Sequence, residues 1–274
     1  MEIARENGKE LICFCPYHRD EGTPNFHILK VPHNGFPIGF AKCFACGMAK
    51  QFTEEEVKEL SKRPATKASK CENIDWWKLT RFYFHYYNSA SHGRKLCDKW
   101  KVRGETVSLF KIGWDSYDRT YTVPMCNEYK EIIGIRKFRL GGTKYCVSGS
   151  QQGLFLSTDK HTDLDGVVVV EGLSDAAIAR ECGFLPVGKP SAAFGNDLVL
   201  KYLQNNNIKS VTVVCDDNDK PYKEAIGQRE AHKLDHILKQ NGIKSKVLKL
   251  FGAKDLRELY QKKGKEHCKR ILSL

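Results

Sequence analysis

Two groups of side chains in this chain have types and spacings suited to holding metals. Near the N-terminus, Cys15 and His18 form a C-x2-H pair, and Cys43 and Cys46 form a C-x2-C pair. Two such knuckles are what a tetrahedral zinc site requires. Four protein ligands leave no open position, so the ion would fold a small ribbon rather than perform chemistry. Cys13, His27 and His33 stand nearby, and any of them can replace one of the four. The aromatic and basic neighbours Tyr17, Arg19, Phe26, Phe40, Lys42 and Phe44 suit stacking on a single nucleic-acid strand, or equally the filling of a very small core.

The second group is acidic. Asp216, Asp217 and Asp219 follow the apolar run "KSVTVVC", Glu171 closes the run "GVVVVEG", and Asp255 comes five residues after the run "SKVLKL" ends. If these runs are parallel strands, all five acids fall at the carboxyl ends, where open parallel sheets bind ligands. Two carboxylates about 4 Å apart repel by roughly 4 kcal/mol at an effective dielectric near 20, so such a cluster calls for a cation. Hard oxygen donors in this number suit Mg²⁺ or Mn²⁺, completed by water and substrate phosphates. The competing reading is a solvated turn, the common use of Asp-Asn-Asp sequences.

A third group is basic. Residues 73 to 150 carry 14 Lys and Arg against 7 Asp and Glu, so more than half of the chain's net charge of +12 lies in this segment. Arg136, Lys137, Arg139 and Lys144 are close together there. Alternation along a strand would set Lys137 and Arg139 on the face opposite Arg136, leaving some of them as solvated bystanders.

The elements that must position these groups can be read from periodicity. "EEEVKELSKRP" reads as a short helix, and "PATKASKCE" has the composition of a linker. "IDWWKLTRFYFHYYNSASHG" reads as a helix whose aromatics are expected in a core, and "WKVRGETVSLFKIGW" as a second, shorter helical stretch. From Tyr121 to Leu140 alternation predicts antiparallel strands with a turn at Gly141 and Gly142. Beyond residue 165 the apolar runs "GVVVVEG", "FLPVG", "KSVTVVC" and "SKVLKL" alternate with helical patterns, which predicts a parallel sheet with helices on both faces.

With 274 residues, 41% hydrophobic and 28% charged, the chain is ordinary for a folded protein of two or three units. No apolar run is long enough to span a membrane, and "MEIARENGKE" lacks the apolar stretch of a secretory signal, so a cytosolic protein with no membrane partner is expected. Eleven cysteines, an odd number in a reducing compartment, favour metal binding or burial over disulfides. The excess of 45 basic over 33 acidic residues points to a polyanionic partner. "GFLPVGKPS" nearly matches a phosphate-binding loop, but Pro190 occupies the place of the hydroxyl residue and Gly183 precedes the strand, so no nucleotide-hydrolysing motor is inferred.

"CPYHRDEGTPNF" with "CFACG" resembles the Cys-His-Cys-Cys zinc ribbon of bacterial and phage DnaG-type primases, and "VVVVEGLSDAAIA" with "VVCDDND" resembles their Toprim domain. The stretches "WKVRGETVSLFKIGW", "VPMCNEYKEIIGIRKFRL" and "TKYCVS" are similar to the basic half of that family's RNA-polymerase domain. The resemblance spans most of the chain, in the family's own order. It implies a zinc ribbon at 1–62, a linker at 63–72, a basic mixed α+β subdomain at 73–160, and a Toprim-type parallel sheet with a short helical tail at 161–274.

The implied activity is synthesis of short RNA primers from ribonucleoside triphosphates on single-stranded DNA, with two-metal phosphoryl transfer at the acidic cluster. The family's metal-holding Glu and Asp-x-Asp match Glu171, Asp217 and Asp219, with Asp216 a substitute, and Asp175 matches the acid four residues after the Glu. Asp255 matches one place of a later acidic pair, but the other place holds Arg257. The family's nucleotide- or template-contacting Lys-Tyr matches Lys144 and Tyr145, and its preceding arginine matches Arg136, or Arg139 if the turn is shorter. The gap between the zinc knuckles, "ILKVPHNGFPIGF", is long for the family and is expected to alter template preference. The chain stops soon after the Toprim unit, which leads us to expect a compact primase of a phage or other mobile element, working with a separate replicative helicase. Two rivals remain from other classes: a non-enzymatic zinc and Toprim nucleic-acid mediator resembling RecR, and a Toprim nuclease.

Overall fold

The computed structural model describes residues 3–16, 24–33, 35–43, 48–63, 74–88, 91–116, 118–147, 149–159, 164–216 and 226–273. The chain divides into two compact units, residues 1–75 with 145–149, and residues 76–144 with 150–274. The linker expected at 63–72 lies outside the described residues from 64 onward.

In the first unit, β1 (Ile3–Glu6), β2 (Glu10–Cys13), β3 (Phe26–Leu29), β4 (Phe40–Cys43) and β5 (Ala49–Gln51) form an antiparallel sheet in sequence order. Alternation places Leu11, Cys13, Phe26, Ile28, Ala41 and Cys43 on one buried face. Helix α1 (Glu54–Ser61) closes that face with Val57 and Leu60. A capping box starts the helix: Glu56 N–H donates to Thr53 Oγ1, and Thr53 N–H donates to the Glu56 carboxylate.

The second unit opens with α2 (Trp76–Asn88), α3 (His92–Trp100) and α4 (Gly104–Leu109). The single helical stretch expected at 100–114 is thus corrected. Lys101 ends α3 in the left-handed region (φ 58°), and only 104–109 is helical before a strand begins at Gly113. Next comes a four-stranded sheet, β6 (Gly113–Asp115), β7 (Thr120–Cys126), β8 (Ile132–Phe138) and β9 (Lys144–Cys146), in that order. Helix α2 packs on it. At Gly113 a Cβ would lie 2.6 Å from Tyr83 Cβ, so only glycine lets α2 approach this closely.

The larger sheet has strand order β10 (Phe155–Leu156), β12 (Leu185–Lys189), β11 (Val167–Glu171), β13 (Ser210–Cys215), β14 (Lys244–Lys249). Its last four strands are parallel, and β10 is an antiparallel edge. Helices α5 (Leu173–Glu181), α6 (Asn196–Asn205) and α7 (Ile226–Gln240) are the crossovers. From β11 the chain steps to one side, then returns past it to β13 and β14, so right-handed crossovers put α5 on one face and α6 and α7 on the other. Burial agrees with this. Val167, Val169, Leu185, Val187, Val211 and Val213 share a core with Val199, Tyr202, Leu203, Leu234 and Leu238 of α6 and α7. Helices α8 (Leu256–Lys263) and α9 (Lys265–Ser273) follow, α8 against α5. No helix among the described residues is long and apolar enough to cross a membrane.

Candidate active site

The topology fixes where a site can form. The chain leaves β11 toward one edge of the sheet and β13 toward the other, which opens a crevice at the carboxyl ends of these neighbouring strands. Glu171 is the last residue of β11, and Asp216 directly follows Cys215 at the end of β13. Gly172, at φ +87°, turns the chain sharply into α5, and a Cβ there would meet nothing within 4 Å. A side-chain-free opening therefore stands beside Glu171.

Two further acids close in from helix starts. Asp175 lies in the first turn of α5 and is buried. Asp255 is the N-cap of α8, accepting from Glu258 N–H at 2.7 Å. Burial, with the charges of Asp255 and Asp216 adding to it, holds the Asp175 carboxyl well above the usual range. Burial also pushes Asp216 up to about 7, helped by the charges of Glu171 and Asp255 and opposed by Lys254 and Arg257. Glu171, Asp175, Asp216 and Asp255, up to 84 positions apart in sequence, are thus one electrostatic cluster. Asp217 and Asp219 lie outside the described residues. Among the described residues no three His, Cys, Asp or Glu side chains stand close enough to enclose a metal ion. Acidic side chains gathered at one rim do fit a hard divalent cation, whose charge would offset their repulsion.

Two cations that sequence reasoning did not assign enter this region. Lys189 ends β12 directly beside Glu171 in the parallel register. Its buried ammonium donates to Ala192 O at 2.6 Å and to Asn196 Oδ1 at 2.5 Å. Burial lowers its pKa to about 8, against the opposing charges of Glu171 and Glu230. The signal was available, since Lys189 ends its apolar run as Glu171 ends its own. Arg257, noted in the sequence only as a missing acid, donates its backbone N–H to Asp175 Oδ1 at 2.8 Å, and its guanidinium lies 3.4 Å from Asp255 Oδ2.

Beside Gly172 lies a cavity of about 240 Å³ whose lining includes Lys99, Arg136, Arg139, Lys144 and Arg257 and, among the described residues, no carboxylate. Gly172, Leu173 and Ser174 at the start of α5 also line it. Arg136 is held in place by donation from Nη1 to Pro190 O at 2.9 Å and by the Phe155 ring beneath its guanidinium, 5.3 Å away. Arg139 also lines the cavity, but its guanidinium donates from Nη2 to Asp118 O at 3.1 Å, on the side of Lys137, as alternation expects. Lys137 does sit on the opposite face. Its ammonium is buried 2.7 Å from Asp115 and 2.5 Å from Asp118, and these carboxylates carry its pKa up although burial alone would lower it. The structure therefore does not bring Lys137 to the cavity. Tyr145 follows Lys144 on β9 and is half-buried.

In the first unit, Cys15 and Cys43 are buried in one cluster. Cys43 N–H donates to Met48 O at 2.8 Å. His18 and Cys46 lie outside the described residues. Of the alternative ligands, His27 is on the other face of β3, its Nδ1 2.9 Å from a Glu10 carboxylate oxygen. His33 is exposed in a turn bridged to Phe36. Cys13 shares the buried face with Cys15 and Cys43, and burial pushes its thiol up to about 11.

No family model matches the chain, and no curated protein matches its sequence. Solved structures do. The DnaG catalytic core superposes with a TM-score of 0.56 at 15% identity, over 72% of this chain and 77% of that one. A DNA primase domain from Pseudomonas aeruginosa gives 0.55 at 17%, over 72% and 77%. The primase fragment of the bacteriophage T7 primase-helicase protein gives 0.52 at 14%, over 91% of this chain and 94% of that one. At these identities the likeness is one of fold: the chain has a mixed α/β fold similar to that of the DnaG primase core.

Proposed function

We infer that this chain is a DNA primase, a nucleotidyltransferase that joins ribonucleoside triphosphates into short RNA primers on a single-stranded DNA template. The observation that carries this reading is the adjacency, around Gly172, of an acidic cluster and a cavity lined by several cations within one unit. Phosphoryl transfer needs such a pairing, because the triphosphate and its leaving pyrophosphate must be held and neutralised while a hydroxyl attacks. The similarity of fold to primase cores supports the same reading.

Glu171, Asp216 and Asp255, with Asp217 and Asp219, are the residues that would hold Mg²⁺ or Mn²⁺. Such an ion, when bound, lowers the pKa of the attacking 3′-hydroxyl and neutralises the leaving charge. Arg136, Arg139, Lys144, Lys99 and Arg257 bind and orient the triphosphate, with Arg136 pre-positioned by its bond to Pro190. Zinc, held by Cys15, His18, Cys43 and Cys46, is the structural ion of the first unit, and a separate helicase supplies the unwound template.

The test is synthesis itself. Purified protein with Mg²⁺ or Mn²⁺, ribonucleotides and mixed single-stranded templates should yield short labelled RNA, and Asp217→Ala with Asp219→Ala should abolish it while zinc content stays unchanged. Strand binding with no polymer under either metal would show a nucleic-acid mediator instead. Cleavage of the template would show a nuclease.

A further inference from the structure

The aromatics of α2 are not all core. Thr80, Tyr83 and Tyr87 are buried against the four-stranded sheet, whereas Trp77, Phe82 and Tyr86 are 55%, 54% and 40% exposed. Lys78, Arg81 and His85 are exposed as well, so 77, 78, 81, 82, 85 and 86 make one continuous outer face. The helix contains no acidic residue, and Asp75, just before it, is the nearest in sequence. Phe82 and Tyr86 meet edge to face, with centroids 4.9 Å apart and planes at 63°, which fixes both rings at the surface. Trp77 to Tyr86 spans about 14 Å of helix at 1.5 Å per residue.

We propose that this outer face of α2 is a stacking track for a single nucleic-acid strand, distinct from the residues that do the chemistry. Three aromatic rings offer π-faces to bases of any identity, and the interleaved Lys78, Arg81 and His85 meet the phosphates between them. An apolar protein-docking face would not need Lys78 and Arg81 on successive turns or exclude acids throughout. The charge matches too, because the face belongs to the segment that holds more than half of the chain's positive excess. The inference concerns strand binding and holds whether or not the polymerase reading does.

The test uses the full chain and a fluorescein-labelled oligo-dT strand of about 20 nucleotides, a length able to cover several stacking positions. No ribonucleotide or divalent metal is added, which separates this result from that of primer synthesis. Trp77→Leu with Phe82→Leu keeps the surface apolar but removes two rings, and should weaken binding about tenfold or more. Trp77→Tyr with Phe82→Tyr keeps the rings and should stay within about threefold of the parent. Arg81→Gln should reduce the slope of log affinity against log salt by about one. Equal affinity of the leucine pair and the parent overturns the proposal, as does an equal loss in the tyrosine pair. Self-association of the parent that the leucine pair abolishes, with strand affinity unchanged, would show the face to be a contact between copies and would overturn it as well.

Discussion

Replacing Asp216 by Asn should make the magnesium-free protein more stable at pH 8. Asp216 titrates near 7 against an ordinary 3.8, first because it is buried and then because Glu171 and Asp255 face it. A carboxyl whose folded pKa lies above its unfolded value adds stability in full below the unfolded value, and that stability is lost as pH rises through the folded value. The gap from 3.8 to about 7, at about 1.4 kcal/mol per pH unit, is on the order of 4 kcal/mol. Partial exposure and relaxation of the neighbours reduce the expected gain to about 2 to 3 kcal/mol. Urea unfolding followed by tryptophan emission is the assay, since Trp76, Trp77, Trp100 and Trp114 all lie in the unit that contains Asp216. Magnesium should be removed by dialysis without a chelator, so that zinc stays. Parent and variant should be about equally stable near pH 4 and diverge as pH rises to 8, and added magnesium should reverse the order. Parallel pH profiles with no gain at pH 8 would refute the reasoning.

Arg136→Ala should weaken nucleotide binding about tenfold or more, the usual worth of a hydrogen bond to a charged group, as read in KM. Lys137→Met should leave KM unchanged but lower stability by about 3 kcal/mol in denaturant unfolding, because Asp115 and Asp118 lose their buried counter-charge. Glu181 at the end of α5 accepts from Thr106 Oγ1 at 2.5 Å and from Arg103 N and Nε at 3.2 and 2.7 Å, and these bonds hold its pKa down although burial opposes them. Glu181→Gln should therefore cost about 2 kcal/mol at pH 7. That deficit should shrink as pH falls through the folded pKa of Glu181, which paired urea melts will show. Cys43→Ser should reduce zinc, measured by plasma emission spectrometry, from about one ion per chain to near none.

The parallel strands were legible because buried strands read as unbroken apolar runs, and their order in sequence implied acids converging at one rim. Glu171, Asp216 and Asp255 are brought together as that reasoning expects, and Asp175, which the family resemblance named, joins them. The break between α3 and α4 was hidden, since the left-handed residue is Lys101 and the glycine nearby, Gly104, stands inside α4. Alternation placed Arg139 correctly with Lys137, since the guanidinium of the one and the ammonium of the other both reach Asp118. Lys189 could have been noticed at the end of its apolar run, but that it stands beside Glu171 depends on the register between strands. The strands of the first unit, three or four residues each, are too short to show a period. In α2 the aromatics occupy both faces, so hydrophobic spacing alone could not say which ones the sheet would cover.

A crystal of the protein soaked with Mn²⁺ and a non-hydrolysable ribonucleoside triphosphate tests the polymerase site most directly. Anomalous density for manganese should appear between Glu171 and Asp216, with the triphosphate lying against Arg136, Lys144 and Arg257. Manganese absent from that rim while nucleotide is bound, or a triphosphate seated away from those three cations, would contradict the account.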